Sequence, residues 1–168
     1  MIDEAQLSKT AITWSCHVQP IENVLCDLSG IIATHAVQFA GAFHSRLVAR
    51  KLNVALTELI NNVLENFSDG QSALTVSWTI GGDVLTTKVA ANATREQYET
   101  VLATVQHINA AESPKALLRS TIKARHKERL KGGLGLMRLV AENNFEVDVG
   151  YEEPVLTVGT RIVVGEIE

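Results

Sequence analysis

Hydrophobic and polar positions alternate in some stretches of this chain and recur every three to four residues in others. The two periods separate strands from helices. Residues 10–18 (Thr-Ala-Ile-Thr-Trp-Ser-Cys-His-Val) read as a strand, ended by Pro20. From Pro20 to Phe67 the chain is helical in character, with a break predicted near Ser29-Gly30. The clearest helix is Leu52–Phe67, where Leu52, Leu56, Leu59, Val63 and Phe67 form one apolar stripe before Ser68-Asp69-Gly70 stops it. Ala73–Ile80 and Val84–Ala91 alternate on either side of Gly81-Gly82-Asp83, a hairpin signal. Thr94–Asn109 and Pro114–Arg129 read as helices, and Gly132-Gly133-Leu134-Gly135 interrupts before a short helix at Leu134–Asn143. Two final strands are predicted near Phe145–Tyr151 and Thr160–Ile167, joined through Glu152-Glu153-Pro154.

The order is one strand, helices, two strands, helices, two strands. Paired strands favour an α/β (α+β) two-layer sandwich, with helices on one face of a mixed or mostly antiparallel sheet. A doubly wound parallel sheet needs single strands alternating with helices, which this chain lacks. At 168 residues, with 46% hydrophobic and 20% charged positions, residues 1–168 suit a single domain with a real core.

Charge narrows the choice of partners. The formal net charge is −4 and the pI about 5.7, so a chain-wide basic footprint for nucleic acid is absent. Six of the fifteen Lys and Arg residues nevertheless fall between Arg119 and Lys131. That run reads either as a solvated helix face or as a mobile segment that attracts phosphate. No signal-peptide pattern opens the sequence and no apolar run approaches the roughly 18 residues of a membrane span, so a cytoplasmic protein without membrane contact is expected. Cys16 and Cys26 have no metal-type spacing and read as reduced thiols.

Four groups of residues have chemical potential. Glu58, Asn62 and Asn66 recur every four residues, which advances only about 40° around a helix, so they line one stripe beside the apolar one. Asn61 and Glu65 stand nearby. A carboxylate there can orient or deprotonate a nucleophile, and an asparagine carbonyl is a hard oxygen ligand suited to Mg²⁺. The alternative is a solvated helix face. Lys131, Gly132, Gly133, Leu134 and Gly135 form the second group, a turn whose backbone amides and following helix N-terminus suit an anion. The alternative is a flexible loop. Neither the dinucleotide fingerprint nor the P-loop pattern is present. Asn92, at a strand end, offers a donor and an acceptor to a base edge, or is a turn residue. Thr160 after Gly159 offers a hydroxyl to a base or its water, or is an ordinary strand threonine.

Together these pieces resemble the GHKL (Bergerat-fold) ATPase superfamily, which includes histidine kinases, gyrase and anti-sigma kinases. Thr57-Glu58-Leu59-Ile60-Asn61-Asn62-Val63-Leu64-Glu65-Asn66 is similar to its N box, and Gly132-Gly133-Leu134-Gly135-Leu136 to the box that closes over phosphates. The resemblance implies a catalytic role for Glu58, Mg²⁺ at Asn62, phosphate near Asn66, and ATP as the nucleotide. Asn92, Gln106-His107-Ile108-Asn109, the segment after Pro114, and Lys131 to Leu136 are similar to SiaB-type regulatory kinases. That likeness implies phosphorylation of Ser or Thr on a small STAS-type partner in a bacterial partner-switching circuit. Dimers are frequent among anti-sigma kinases, and the apolar residues near Ile31–Phe43 suit a self-interface. The superfamily's Asp-x-Gly-x-Gly box has no counterpart here, since the matching strand end reads Ala90-Ala91-Asn92-Ala93-Thr94. A module that sequesters a STAS-type protein or a sigma factor without catalysis is therefore the second expectation.

Overall fold

The computed structural model describes residues 11–19, 27–66, 73–128 and 134–164. Strand β1 (Ile12–Val18) leads to helices α1 (Leu28–Gly41) and α2 (Arg46–Asn66). The hairpin β2 (Leu74–Gly81) and β3 (Val84–Asn92) follows, then helices α3 (Arg95–Asn109), α4 (Pro114–Glu128) and α5 (Gly135–Asn143). Strands β4 (Glu146–Glu152) and β5 (Val155–Val163) close the order. The sheet runs β1-β2-β3-β5-β4, and all of its pairings are antiparallel, the stricter of the two outcomes left open by the sequence.

Local chemistry sets the boundaries. Asp27 caps α1 by accepting from the Gly30 amide at 2.9 Å. A Cβ on Gly30 would sit 2.2 Å from the Asp27 carboxylate, so the glycine belongs inside the first turn and does not break the helix there. Helix α1 begins at Leu28, beside the predicted break, and a further interruption falls at Ala42–Ser45, between α1 and α2. Thr94 and Gln97 close a reciprocal capping box on α3. Pro114 opens α4, where its missing N–H costs nothing. Gly82 turns the β2–β3 hairpin at φ +56°, and Asn144 ends α5 in the left-handed region at φ +60°. The last strand begins at Val155, earlier than the predicted Thr160, because the β4–β5 connection is only the tight turn at Glu153-Pro154. Gly159 and Thr160 therefore lie inside a strand and not ahead of it.

Alternation divides the sheet into two faces. Leu74, Val76, Trp78 and Ile80 of β2, Leu85 and Val89 of β3, and Leu156, Val158 and Ile162 of β5 are buried beneath the helices. The opposite face carries Thr13, Ser15, His17, Thr75, Ser77, Lys88, Asp148 and Arg161 in matching register. This is a two-layer α+β sandwich with the core between sheet and helices. The predicted stripe of α2 is its centre: Leu52, Leu56, Leu59 and Val63 are at most 2% exposed. Phe67 lies outside the described residues. The core contains one polar rung, where Thr87 of β3 and Thr160 of β5 face each other and share a hydrogen bond between their hydroxyls. Cys16 is a half-buried free thiol on β1, and His17 beside it points to the other face and bonds Thr75. Cys26 lies outside the described residues. No helix among the described residues is long and apolar enough to cross a membrane.

Candidate functional site between two antiparallel helices

Helix α2 buries Leu59, Ile60 and Val63 on one side and thereby turns Glu58, Asn61, Asn62 and Glu65 toward its neighbour α5. The two helices run antiparallel. Near one end, Lys51 Nζ donates to the Asn143 carbonyl at 2.8 Å, satisfying an orphan acceptor at the C-terminus of α5. At the other end, Gly135 opens α5 directly against Glu58 and Asn62. A Cβ on Gly135 would lie 2.5 Å from Glu58 Oε2 and 3.2 Å from Asn62 Nδ2. A side chain at this position would displace the Glu58 carboxylate, so backbone at the start of α5 approaches both polar groups closely.

A cleft of about 180 Å³ opens here, lined by Glu58, Asn61, Asn62, Glu65, Leu134, Gly135 and Arg138. Leu134 precedes α5 and supplies no side-chain cap to it. The amides of the first turn of α5 have no partner within the helix and carry the positive end of its dipole. The lining is otherwise acidic, with Glu58 and Glu65 against Arg138. Half-burial pushes the Glu58 carboxyl above its ordinary range. Arg138 opposes that rise, while Glu65 and Glu142 reinforce it.

The structure thus brings together Glu58, Asn62, Leu134 and Gly135 of the residues singled out from sequence. Asn66 ends α2, but its side chain lies outside the described residues, as do Lys131, Gly132 and Gly133. Asn92 and Thr160 are not at the cleft. Asn92 is exposed at the end of β3 and, by alternation from buried Ala91, on the open face of the sheet. Thr160 is buried in mid-strand, opposite Thr87, five residues before Asn92 in the register. That offset spans about 17 Å and, being odd, puts the two residues on opposite faces. Of the basic run, Arg119 and Lys123 are exposed on α4 and do not line the cleft, while Arg129 and Lys131 lie outside the described residues.

Two residues given no role from sequence belong to the site's electrostatics. Arg138 lies one turn after Gly135 and Glu142 one turn further, on a shared face of α5. The i+3 and i+7 spacing from the glycine was the available signal.

The donor set bears on a metal. Among the described residues no cluster of three or more His, Cys, Asp or Glu could hold one unaided. Glu58 and Asn62 do provide a carboxylate and an amide beside the close-approach glycine. Mg²⁺ is commonly held by one or two such oxygens, with phosphates and water filling the remaining positions. The residues fit that partial shell.

The chain matches no protein-family model and none of the curated proteins.

Proposed function

We propose that this chain is a cytoplasmic, ATP- and Mg²⁺-dependent protein kinase of the GHKL type that phosphorylates a Ser or Thr hydroxyl on a small STAS-type regulatory partner. The observation that supports it most is Gly135, whose bare Cα leaves backbone amide within reach of an anion bound beside Glu58 and Asn62. The N-box and glycine-box likenesses agree with that reading.

The residues divide the work of transfer. First-turn amides of α5 donate to phosphate oxygens, and Arg138 offsets negative charge on the same side of the cleft. Asn62 is the residue that would hold Mg²⁺ together with phosphate oxygens and water, and the ion when bound would neutralise phosphate charge. The acceptor hydroxyl oxygen forms the new bond to the γ-phosphorus as the bond to the β,γ-bridging oxygen breaks and ADP leaves. Glu58 takes the hydroxyl proton, a role suited to a carboxyl whose affinity for protons is raised by burial. Positioning and charge neutralisation supply most of the barrier reduction in such reactions.

The test is transfer of label from γ-labelled ATP to a purified STAS-type protein, alongside calorimetry with Mg²⁺ and ATP. Wild type is expected to label the partner and Glu58→Gln to fail while still binding nucleotide. Equal labelling by both proteins removes Glu58 from the chemistry. The missing Asp-x-Gly-x-Gly box favours a second reading, a non-catalytic module that sequesters its partner. A silent titration with Mg²⁺ and ATP together with intact partner binding would select it.

A further inference from the structure

Helix α4 (Pro114–Glu128) has a charge distribution that its role in the fold does not require. It packs against α5 and buries Leu118, with Leu117 and Thr121 partly covered beside it. On the outward arc, Lys115, Arg119 and Lys123 recur every four residues and are exposed. From Pro114 to Lys127 the sequence has no acidic residue. The ion pairs Arg95–Glu99 and Glu146–Arg161 do not involve Lys115, Arg119 or Lys123. Ile122 lies at the edge of the same arc and is 40% exposed.

A helix face that serves only solubility mixes its signs, as α3 does with the Arg95–Glu99 pair. Like charges four residues apart weaken a helix, and α4 carries two such pairs in succession. The segregation is sharper because the whole chain is net −4. We propose that the Lys115–Arg119–Lys123 face of α4, with Ile122 as its apolar anchor, docks an acidic helix of a partner protein whose carboxylates repeat every four residues. Three cations at a rise of about 6 Å each match three carboxylates on an aligned helix. A duplex of DNA fits less well, because three phosphate contacts support only weak binding and the chain as a whole carries a net charge of −4. Membrane insertion is disfavoured, since the apolar side of α4 is already used against the body of the protein. Docking involves no nucleotide and does not depend on the kinase reading.

The experiment titrates the full-length, isotope-labelled chain, without nucleotide, and follows backbone amide shifts by NMR. Three probes are compared at fixed low salt: an alanine-rich helical peptide with glutamates at every fourth position, an isomer with the same glutamates spread around the helix, and a short DNA duplex. The expected result is shifts centred on residues 115–123, at least five-fold tighter binding of the spaced peptide than of its isomer, and loss of that preference in Arg119→Glu/Lys123→Glu with an unchanged melting temperature. Equal binding of the two peptides, shifts outside α4, preference for the duplex, or no binding of any probe would each overturn the proposal.

Discussion

Replacing Gly135 by alanine tests the geometry of the cleft without any ligand. At the start of α5 the glycine has no positive φ, so an alanine is acceptable to the backbone. Removing glycine's freedom in the unfolded chain stabilises by about 0.4–1 kcal/mol where the conformation is compatible. Against this, the new methyl would lie 2.5 Å from Glu58 Oε2. Ordinary contact is about 3.5 Å, so the carboxylate has to retreat by roughly 1 Å. In wild type the two effects oppose each other and the net change is small or unfavourable. In a Glu58→Ala background the obstructing atom is gone, leaving only the 3.2 Å approach to Asn62 Nδ2, and the gain becomes visible. Urea denaturation of the four proteins should give a coupling of about 0.5–3 kcal/mol, as for residues in direct contact. Additivity within about 0.5 kcal/mol would show that Gly135 and Glu58 do not touch, and the cleft as described would not exist. The same single substitution should weaken Mg²⁺-ATP binding at least ten-fold, about 1.4 kcal/mol, because the methyl occupies the place of closest backbone approach.

Other outcomes follow from the same coordinates. Because burial raises the Glu58 carboxyl, its ionisation works against folding: the stability it provides when protonated is present below its unfolded value and is lost as pH rises through the folded one. Glu58→Gln should therefore melt higher than wild type near neutral pH and no higher near about pH 4, where the ordinary carboxyl is largely protonated; a lower melting temperature throughout would contradict the burial. Arg138→Gln removes the charge that holds Glu58 down, so the acidic limb of the transfer rate should move to higher pH, and an unmoved limb would separate the two groups. Thr87→Val leaves the Thr160 hydroxyl alone in the core and should cost about 1–3 kcal/mol, most of it regained in Thr87→Val/Thr160→Val; a double variant as unstable as the single one would deny that the hydroxyls serve each other.

Much of the architecture was legible because the periods were clean. The Leu52–Val63 stripe, the β2–β3 hairpin and the Thr94 cap were each marked by residues whose local physics admits few alternatives. The errors have equally local causes. Gly30 looked like a breaker, and only the position of the Asp27 carboxylate shows why it belongs inside a helix. Val155–Gly159 lacked an obvious start signal, so the final strand was placed late, and Thr160 with it. In the site, Glu58 and Asn62 were readable from four-residue spacing, and Gly135 from its position before a helix. Arg138 and Glu142 were not, because their importance arises from how α5 lies along α2, a tertiary fact. Asn92 and Thr160 stand on opposite faces of the sheet, a matter of strand parity and register that no short motif encodes.

The Thr87–Thr160 rung also bears on how the chain finds its pairing. These residues are 73 apart in sequence, and no turn dictates how β3 aligns with β5. A slide by two positions keeps every side chain on its proper face, so hydrophobic burial alone discriminates poorly against it. Such a slide would set Thr87 against Val158 or Ile162 and strand both hydroxyls among aliphatic groups. The buried contact between Thr87 and Thr160 thus acts as an alignment mark, rejecting near-native arrangements that an all-aliphatic core would tolerate.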